Sequence, residues 1–308
     1  KSGWLDLSEL REIHTVALTL EDLTAVATAT TALVDAGLLG AGRVPWLVSI
    51  HDLQIIAELI ECPADFLLYI RRRRDPEMPV FFSAADELDL FLYFLAAGLY
   101  VAPDPQHMAA ELSYASASDK EDVHRRAQQQ PVFVGALTGP LDAWHQAQID
   151  PAAPRAPKPR RTSRPMDKLV GELERGRHYG WLSIGATLLG GDTRTQKHWA
   201  RVPRGLLASP RGGGAGRSFF SDAGDTRHDA WALIWVTRPA RRRTDDVVAE
   251  AKKYLQDKKY QLEISRGAAF IFDEVTKTLV DVVYDGVLLE RSPEMDAATS
   301  YLAPIPNV

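Results

Sequence analysis

Apolar residues recur at helical spacing over 20–36, with Thr19 placed to cap the start and Gly37 just past the end, so this stretch predicts an amphipathic helix. The next run, Val44 to Ile50, is rich in β-branched and aromatic residues and leads straight into a candidate cap at Asp52, which predicts a short buried strand turning into a helix. Helical spacing resumes from Leu53 to Glu61. Pro63 suits the first turn of a further helix that carries Phe66, Leu67 and Tyr69 and ends in the run Arg71 to Arg74, before Asp75 and Pro76. Ser83 and Asp86 form a start signal for a helix over Leu88 to Ala97, and Gly98 closes it.

Beyond residue 150 the pattern changes. The segment from Asp150 to Pro165 alternates prolines with Arg and Lys, which denies both helix and burial, so it reads as a linker. Met166 to Gly176 predicts a capped helix, followed by a short one through Ile184, Leu188 and Leu189. Trp231 to Thr237 predicts a strand, Asp245 to Lys259 a helix, and Ala268 to Asp273 with Thr278 to Tyr284 a two-stranded hairpin. The last 18 residues read as a surface tail. The expected class is α+β or mixed α/β, with helices dominating the first half and helices then strands in the second. The expected division is an acidic helix-rich domain over 1–150, a Pro/Arg linker over 151–165 and a basic α+β domain over 166–308.

Charge sharpens that division. Residues 1–153 hold 10 Lys+Arg against 22 Asp+Glu, whereas 154–308 hold 26 against 19. The modest net charge of −5 therefore conceals two opposite halves, a pattern that accompanies contact with nucleic acid or another polyanion. Between 155 and 243 the excess is steepest, 19 basic against 7 acidic residues, with Tyr179, Trp181, Trp199, Phe219, Phe220, Trp231 and Trp235 interleaved. Basic residues with aromatics suit backbone or single-strand contact, although aromatics in alternating strands are also core. The single Cys62 excludes an intramolecular disulfide and reads as a small buried hydrophobe in a cytoplasmic protein. No run of about 18 apolar residues is present, so no membrane partner is expected. The chain opens on Lys1 rather than Met, which reads as a fragment or a processed chain.

Candidate chemistry is sparse. Arg71, Arg72, Arg73 and Arg74 sit where a helix ends, either opposing its dipole or forming a phosphate-binding cluster. Arg160, Arg161 and Arg164 in the linker, and Arg241, Arg242 and Arg243 after the strand, are further candidates for phosphate contact, the linker reading equally as a solvated spacer. Arg211 to Ser218 is glycine-rich but lacks the Lys and hydroxyl spacing of a Walker loop, so it reads as a flexible loop. Glu250-Ala251-Lys252 has the carboxylate-x-lysine form of metal-dependent nucleases, yet those need a strand, where residues two apart share a face; on a helix they diverge. His51, beside Asp52 at a strand end, and His228, between Asp225 and Asp229, are the remaining candidates, both more simply read as structural.

Pro45 to Leu53, Pro63 to Arg72 and Asp86 to Tyr100 together resemble bacterial restriction-endonuclease-like proteins of the PD-(D/E)XK and NERD type, over roughly the first 100 residues. The resemblance implies a nuclease core of mixed sheet and helices, a role in defence against foreign DNA, and a divalent metal such as Mg held by acidic residues beside a Glu-x-Lys strand. It would make Lys1 the catalytic lysine, with its acidic partners upstream, so no cofactor is expected in this chain by itself. Two functions follow as expectations: a non-specific nucleic-acid-engaging and scaffold part of a nuclease-like protein, or a non-catalytic adaptor whose acidic half docks on a protein partner.

Overall fold

In the computed structural model, the residues described are 12–20, 37, 45–74, 81–84, 87–99, 131–134, 137–208, 216–223 and 230–302. Helices and strands mix throughout them, as the α+β reading expects, and the chain divides into two units at Ser163/Arg164. The helix expected over 20–36, the glycine-rich loop before Gly216, the cluster around His228 and Lys1 all lie outside the described residues.

The first unit pairs β1 (Val16–Thr19) in parallel with β2 (Trp46–Ser49), and β3 (Phe81–Ala84) in parallel with β4 (Pro131–Val134). Strand β2 runs without a gap into α1 (Ile50–Leu59). The expected cap is displaced by one turn: Ser49 is the N-cap and its hydroxyl accepts from the Asp52 backbone N–H at 3.0 Å, so Asp52 lies buried inside the first turn. Helices α2 (Pro63–Arg74), α3 (Glu87–Ala97) and α4 (Gly139–Ile149) complete the described part of this unit. Its core is aromatic. The Tyr69 ring meets Phe91 edge-on at 5.0 Å and Trp46 at 5.6 Å, and all three are sealed from solvent. Edge-to-face contacts of this kind add to area burial because each ring's positive edge meets another's negative face.

The Pro/Arg segment departs from the linker reading. Arg161 reaches a buried carboxylate, Asp65, at 2.7 Å, and the Thr162 N–H donates to the Leu95 carbonyl at 3.1 Å. Prolines do forbid helix here, but Arg161 finds a partner on α2 and the Thr162 backbone one at the end of α3, so the strap through Ser163 belongs to the first unit.

The second unit begins with three helices, α5 (Asp167–Gly176), α6 (Trp181–Gly190) and α7 (Thr193–Ala208). A four-stranded sheet follows in the order β5 (Ser218–Ala223), β6 (Trp231–Arg238), β7 (Arg266–Asp273), β8 (Leu279–Asp285). The outer pairs are antiparallel and the central pair, β6 with β7, is parallel. Parallel neighbours need a crossover, supplied here by α8 (Thr244–Leu262). Residue parity sorts the sheet's two faces. Ala232, Ile234, Ala269 and Ile271 meet Val247, Ala251 and Leu255 of α8. Trp235 and Phe270, directly paired across β6 and β7, face the other way with rings 5.3 Å apart, and Trp199 of α7 packs on Trp235 at 6.4 Å. The close fit on the α8 side needs a glycine: a Cβ at Gly267 would fall 2.9 Å from the Ala232 carbonyl oxygen and 2.7 Å from a Leu255 methyl.

The C-terminal stretch is more ordered than a tail. Ser292 caps a short helix, α9 (Pro293–Thr299), Tyr260 donates to Asp296 at 2.7 Å, and Tyr301 donates to Asp257 at 2.6 Å, strapping the segment across α8. Beneath it, the fully buried Lys259 ammonium is held by Asp285 at 2.6 Å and the Val287 carbonyl at 2.8 Å. Burial lowers the Lys259 pKa despite the carboxylate beside it.

Candidate nucleic-acid interface

The arginine run at the end of α2 turns inward. Tyr69 and Arg73, four apart and so on one face, both point at Glu87, the first residue of α3. That carboxylate is 1 % exposed and accepts from Tyr69 Oη at 2.5 Å, Trp46 Nε1 at 2.8 Å, and Arg73 Nε and Nη2 at 2.8 and 2.9 Å. Burial and the Glu87 charge together push the Tyr69 hydroxyl well up; for Arg73, burial works against the charged form but Glu87 outweighs it and the guanidinium is held charged. Arg71 forks onto Glu12 at 2.7 and 2.6 Å, and Arg74 bonds His14 Nδ1 at 2.8 Å and the Ile13 carbonyl at 3.2 Å. Arg72 is half-buried. Arg71, Arg73 and Arg74 tie α2 to α3 and to the segment entering β1, a structural use of their charge.

Glu12 gives this network a pH signature. Burial alone would raise its pKa, but hydrogen bonds from Arg71 and His14 outweigh that and hold the carboxyl far below its ordinary value. A carboxylate depressed in the folded state stabilises fully above its unfolded pKa and loses that contribution as pH falls toward the folded one. The denaturant midpoint of the first unit is therefore expected to fall as pH drops below about 4.3, and Glu12→Gln should flatten that part of the profile while lowering stability at neutral pH. A Glu12→Gln profile as steep as the parent's would show that other carboxylates carry the effect.

The other arginines expected to contact phosphate divide. Arg160 is exposed and 3.6 Å from Glu61, Arg161 is held by Asp65, and Arg164 is half-buried. Arg241 is exposed. Arg242 pairs with Glu250 at 2.6 Å, and Arg243 makes a 3.3 Å contact with Asp245. Glu250 and Lys252 both lie on α8, so the carboxylate-x-lysine pair does not share a face, and its carboxylate is engaged with Arg242 at the rim of a cavity of about 180 Å³ floored by Val247 and Ala251. Among the described residues there is no group of three or more His, Cys, Asp or Glu that could hold a metal ion. Exposed His51 faces His145 of α4 with ring centroids 6.5 Å apart.

One cationic feature within the basic stretch over 155–243 was not singled out by the sequence reading. Helix α7 contains Arg194, Lys197, His198, Arg201 and Arg204 and no Asp or Glu. All five are exposed, while Gln196, Trp199, Val202 and Leu207 are buried beneath them. None of its four Arg and Lys side chains has an ion-pair partner among the described residues. The helix is held from below and behind. Asp192 accepts from the Thr195 N–H at 2.6 Å at its start, the Gln196 amide donates to the Leu189 and Gly191 carbonyls at 2.9 and 2.6 Å, and Trp199 Nε1 donates to Ser221 Oγ at 3.1 Å. A groove of about 500 Å³ runs along one side of α7, with Met166, Leu207 and Phe272 among its walls and Lys168, Arg204 and Lys277 at its rim. The cations recur at intervals of three and four, a signal present in the sequence but obscured by Pro203 and by the two threonines at the start.

Of the aromatic residues that suggested single-strand stacking, Trp199, Trp231 and Trp235 are 1 %, 0 % and 0 % exposed and belong to the core, Trp181, Phe219 and Phe220 are half-buried, and Tyr179 is exposed. No family model matches the chain, and neither a curated protein nor a solved structure matches it. No helix among the described residues is long and apolar enough to cross a membrane.

Proposed function

We propose that this chain engages nucleic acid through its second unit, with α7 as the contact surface and the first unit as an acidic scaffold. The observation that carries the reading is the acid-free helix face. Four permanently charged side chains project from one rigid element that is fixed by buried tryptophan, and uncompensated cations on such a face attract a polyanion by releasing its condensed counterions. Carboxylates at i+4 would pair with these cations and offset their charge, and α7 has none. The nuclease-like role suggested by the resemblance stays part of this proposal only as a setting, since its metal-binding residues are not among those described.

The test is fluorescence anisotropy of the chain with labelled nucleic acid across a salt series, beside the variant Arg194→Ala/Lys197→Ala/Arg201→Ala/Arg204→Ala. Each lost phosphate contact lowers the slope of log affinity against log salt by about 0.9, so the variant is expected to lose roughly 3 to 4 units of slope and most of its affinity. Its thermal midpoint should be unchanged, because all four side chains are exposed. Salt-insensitive binding, or none at all by the parent chain, would sink this function and leave the adaptor role.

A further inference from the structure

The shape of the α7 face says more than its charge. Successive helical residues turn by about 100°, which sorts the exposed face into flanks and a centre. Taking Arg194 as origin, His198 lies about 40° to one side, while Arg201, Lys197 and Arg204 lie about 20°, 60° and 80° to the other. The remaining positions within that arc are Gly205 and Ala208. The face, about 15 Å long from Arg194 to Arg204, thus carries Arg201 near its middle with cations to either side, and Gly205 and Ala208 leave it low toward the C-terminal end of the helix.

Gly205 is the telling residue. A glycine inside a helix costs about 1 kcal/mol relative to alanine. Nothing among the described residues requires it here, since a Cβ built at Gly205 meets none of their atoms within 4 Å. It sits beside Arg201 on the solvent side, where a side chain would obstruct only something approaching from outside. The major groove of B-form DNA, about 12 Å wide, admits a helix, and cations at the two edges of the face then reach phosphates on opposite strands. A-form RNA has a major groove too narrow to enter, and single strands are gripped by exposed aromatics, whereas the one aromatic of α7, Trp199, is 1 % exposed.

We infer that α7 enters the major groove of B-form duplex DNA, with Arg194 on one flank, Lys197 and Arg204 on the other, and Arg201 turned toward the base edges. The inference rests on the nucleic-acid reading above and adds the form of the nucleic acid and the manner of contact. The turn Gly190-Gly191-Asp192 between α6 and α7, locked by the Gln196 amide, holds the reading helix in a helix–turn–helix arrangement of sequence.

The decisive variant is Gly205→Leu in the full chain. It leaves every charge in place and puts a better helix former into open space, so the fold is retained or strengthened. Affinity for a DNA duplex of about 20 base pairs is expected to fall by at least about 10-fold, because the side chain stands on the solvent face one turn beyond Arg201 and obstructs groove entry there. The parent chain should bind that duplex at least about 10-fold more tightly than an RNA duplex or a DNA single strand of the same sequence. Methyl green, which occupies the major groove, should compete, and distamycin, which occupies the minor groove, should not. Unchanged affinity in Gly205→Leu, or equal affinity for the RNA duplex, would overturn groove entry while leaving phosphate contact by α7 intact. Absence of binding to all three nucleic acids would remove both readings.

Discussion

Replacing Glu87 by Ala is expected to destabilise the first unit by about 3 to 5 kcal/mol, the range observed when one partner of a buried ion pair is removed. The cause is what remains behind. The Arg73 side chain is 9 % exposed, and without Glu87 its positive charge stays desolvated, while the Tyr69 hydroxyl and the Trp46 indole N–H lose the acceptor they share. Charge neutralisation should soften the loss only in part: Glu87→Gln keeps one acceptor oxygen for Tyr69 or Trp46 but presents an amide to the guanidinium. The double variant Glu87→Leu/Arg73→Met removes both charges and should recover much of the loss, since a buried pair replaced by apolar groups of similar volume is often neutral or stabilising. Urea unfolding of the three variants, followed by the fluorescence of Trp46, gives the ordering. A Glu87→Ala midpoint within error of the parent would mean that water reaches this carboxylate in solution.

The same network shows what a one-dimensional reading loses. Four consecutive arginines look alike in sequence, but on a helix they point in different directions: Arg73 falls on the Tyr69 face toward Glu87, and Arg71 and Arg74 turn toward Glu12 and His14. Their partners come from separate elements, and nothing local announces them. Arg161 is the same case, because a Pro/Arg strap reads as solvated until Asp65 is placed beneath it. By contrast the strand running into α1, the α8 helix and the β7/β8 hairpin were legible, since each depends on periodicity within a short window. The C-terminal helix was legible too and was passed over: Ser292 followed by Pro293 is a start signal with a physical basis, a hydroxyl cap and a residue whose missing N–H is no loss at that position.

Helix α7 falls between these cases. Its charge excess belonged to the basic stretch recognised from composition, but the aromatic residues counted alongside it do opposite work. Trp199 faces the sheet and the arginines face water, a separation that follows from the 3.6-residue period once the segment is known to be helical. Pro203 lies inside it, a residue that disfavours helix interiors. Its ring removes one backbone donor and sits on the half-buried side, where the turns around it are carried by Trp199 and Leu207 packing.

That dependence of the surface on the core leads to the second large effect. Trp235→Ala is expected to cost about 3 to 5 kcal/mol, as for other buried aromatic truncations. Trp235 is fully buried, and its ring lies 5.3 Å from Phe270, 5.8 Å from Phe219 and 6.4 Å from Trp199, so its loss opens a cavity directly under α7. Trp235→Phe should cost far less than Ala. It keeps most of the aromatic contact, and the hydrogen-bonding term is absent because the buried Trp235 indole N–H has no acceptor among the described residues. The two variants also separate stability from binding. At a temperature where both remain folded, Trp235→Phe should bind nucleic acid as the parent does, whereas Trp235→Ala should bind more weakly although no surface charge has changed, because Trp199 loses the ring it rests on and the cationic face is no longer held in one geometry. Equal affinity for folded Trp235→Ala and parent chain would show that the α7 charges act as a mobile cloud rather than as a rigid surface, and would count against the groove-bound arrangement even if phosphate contact survives.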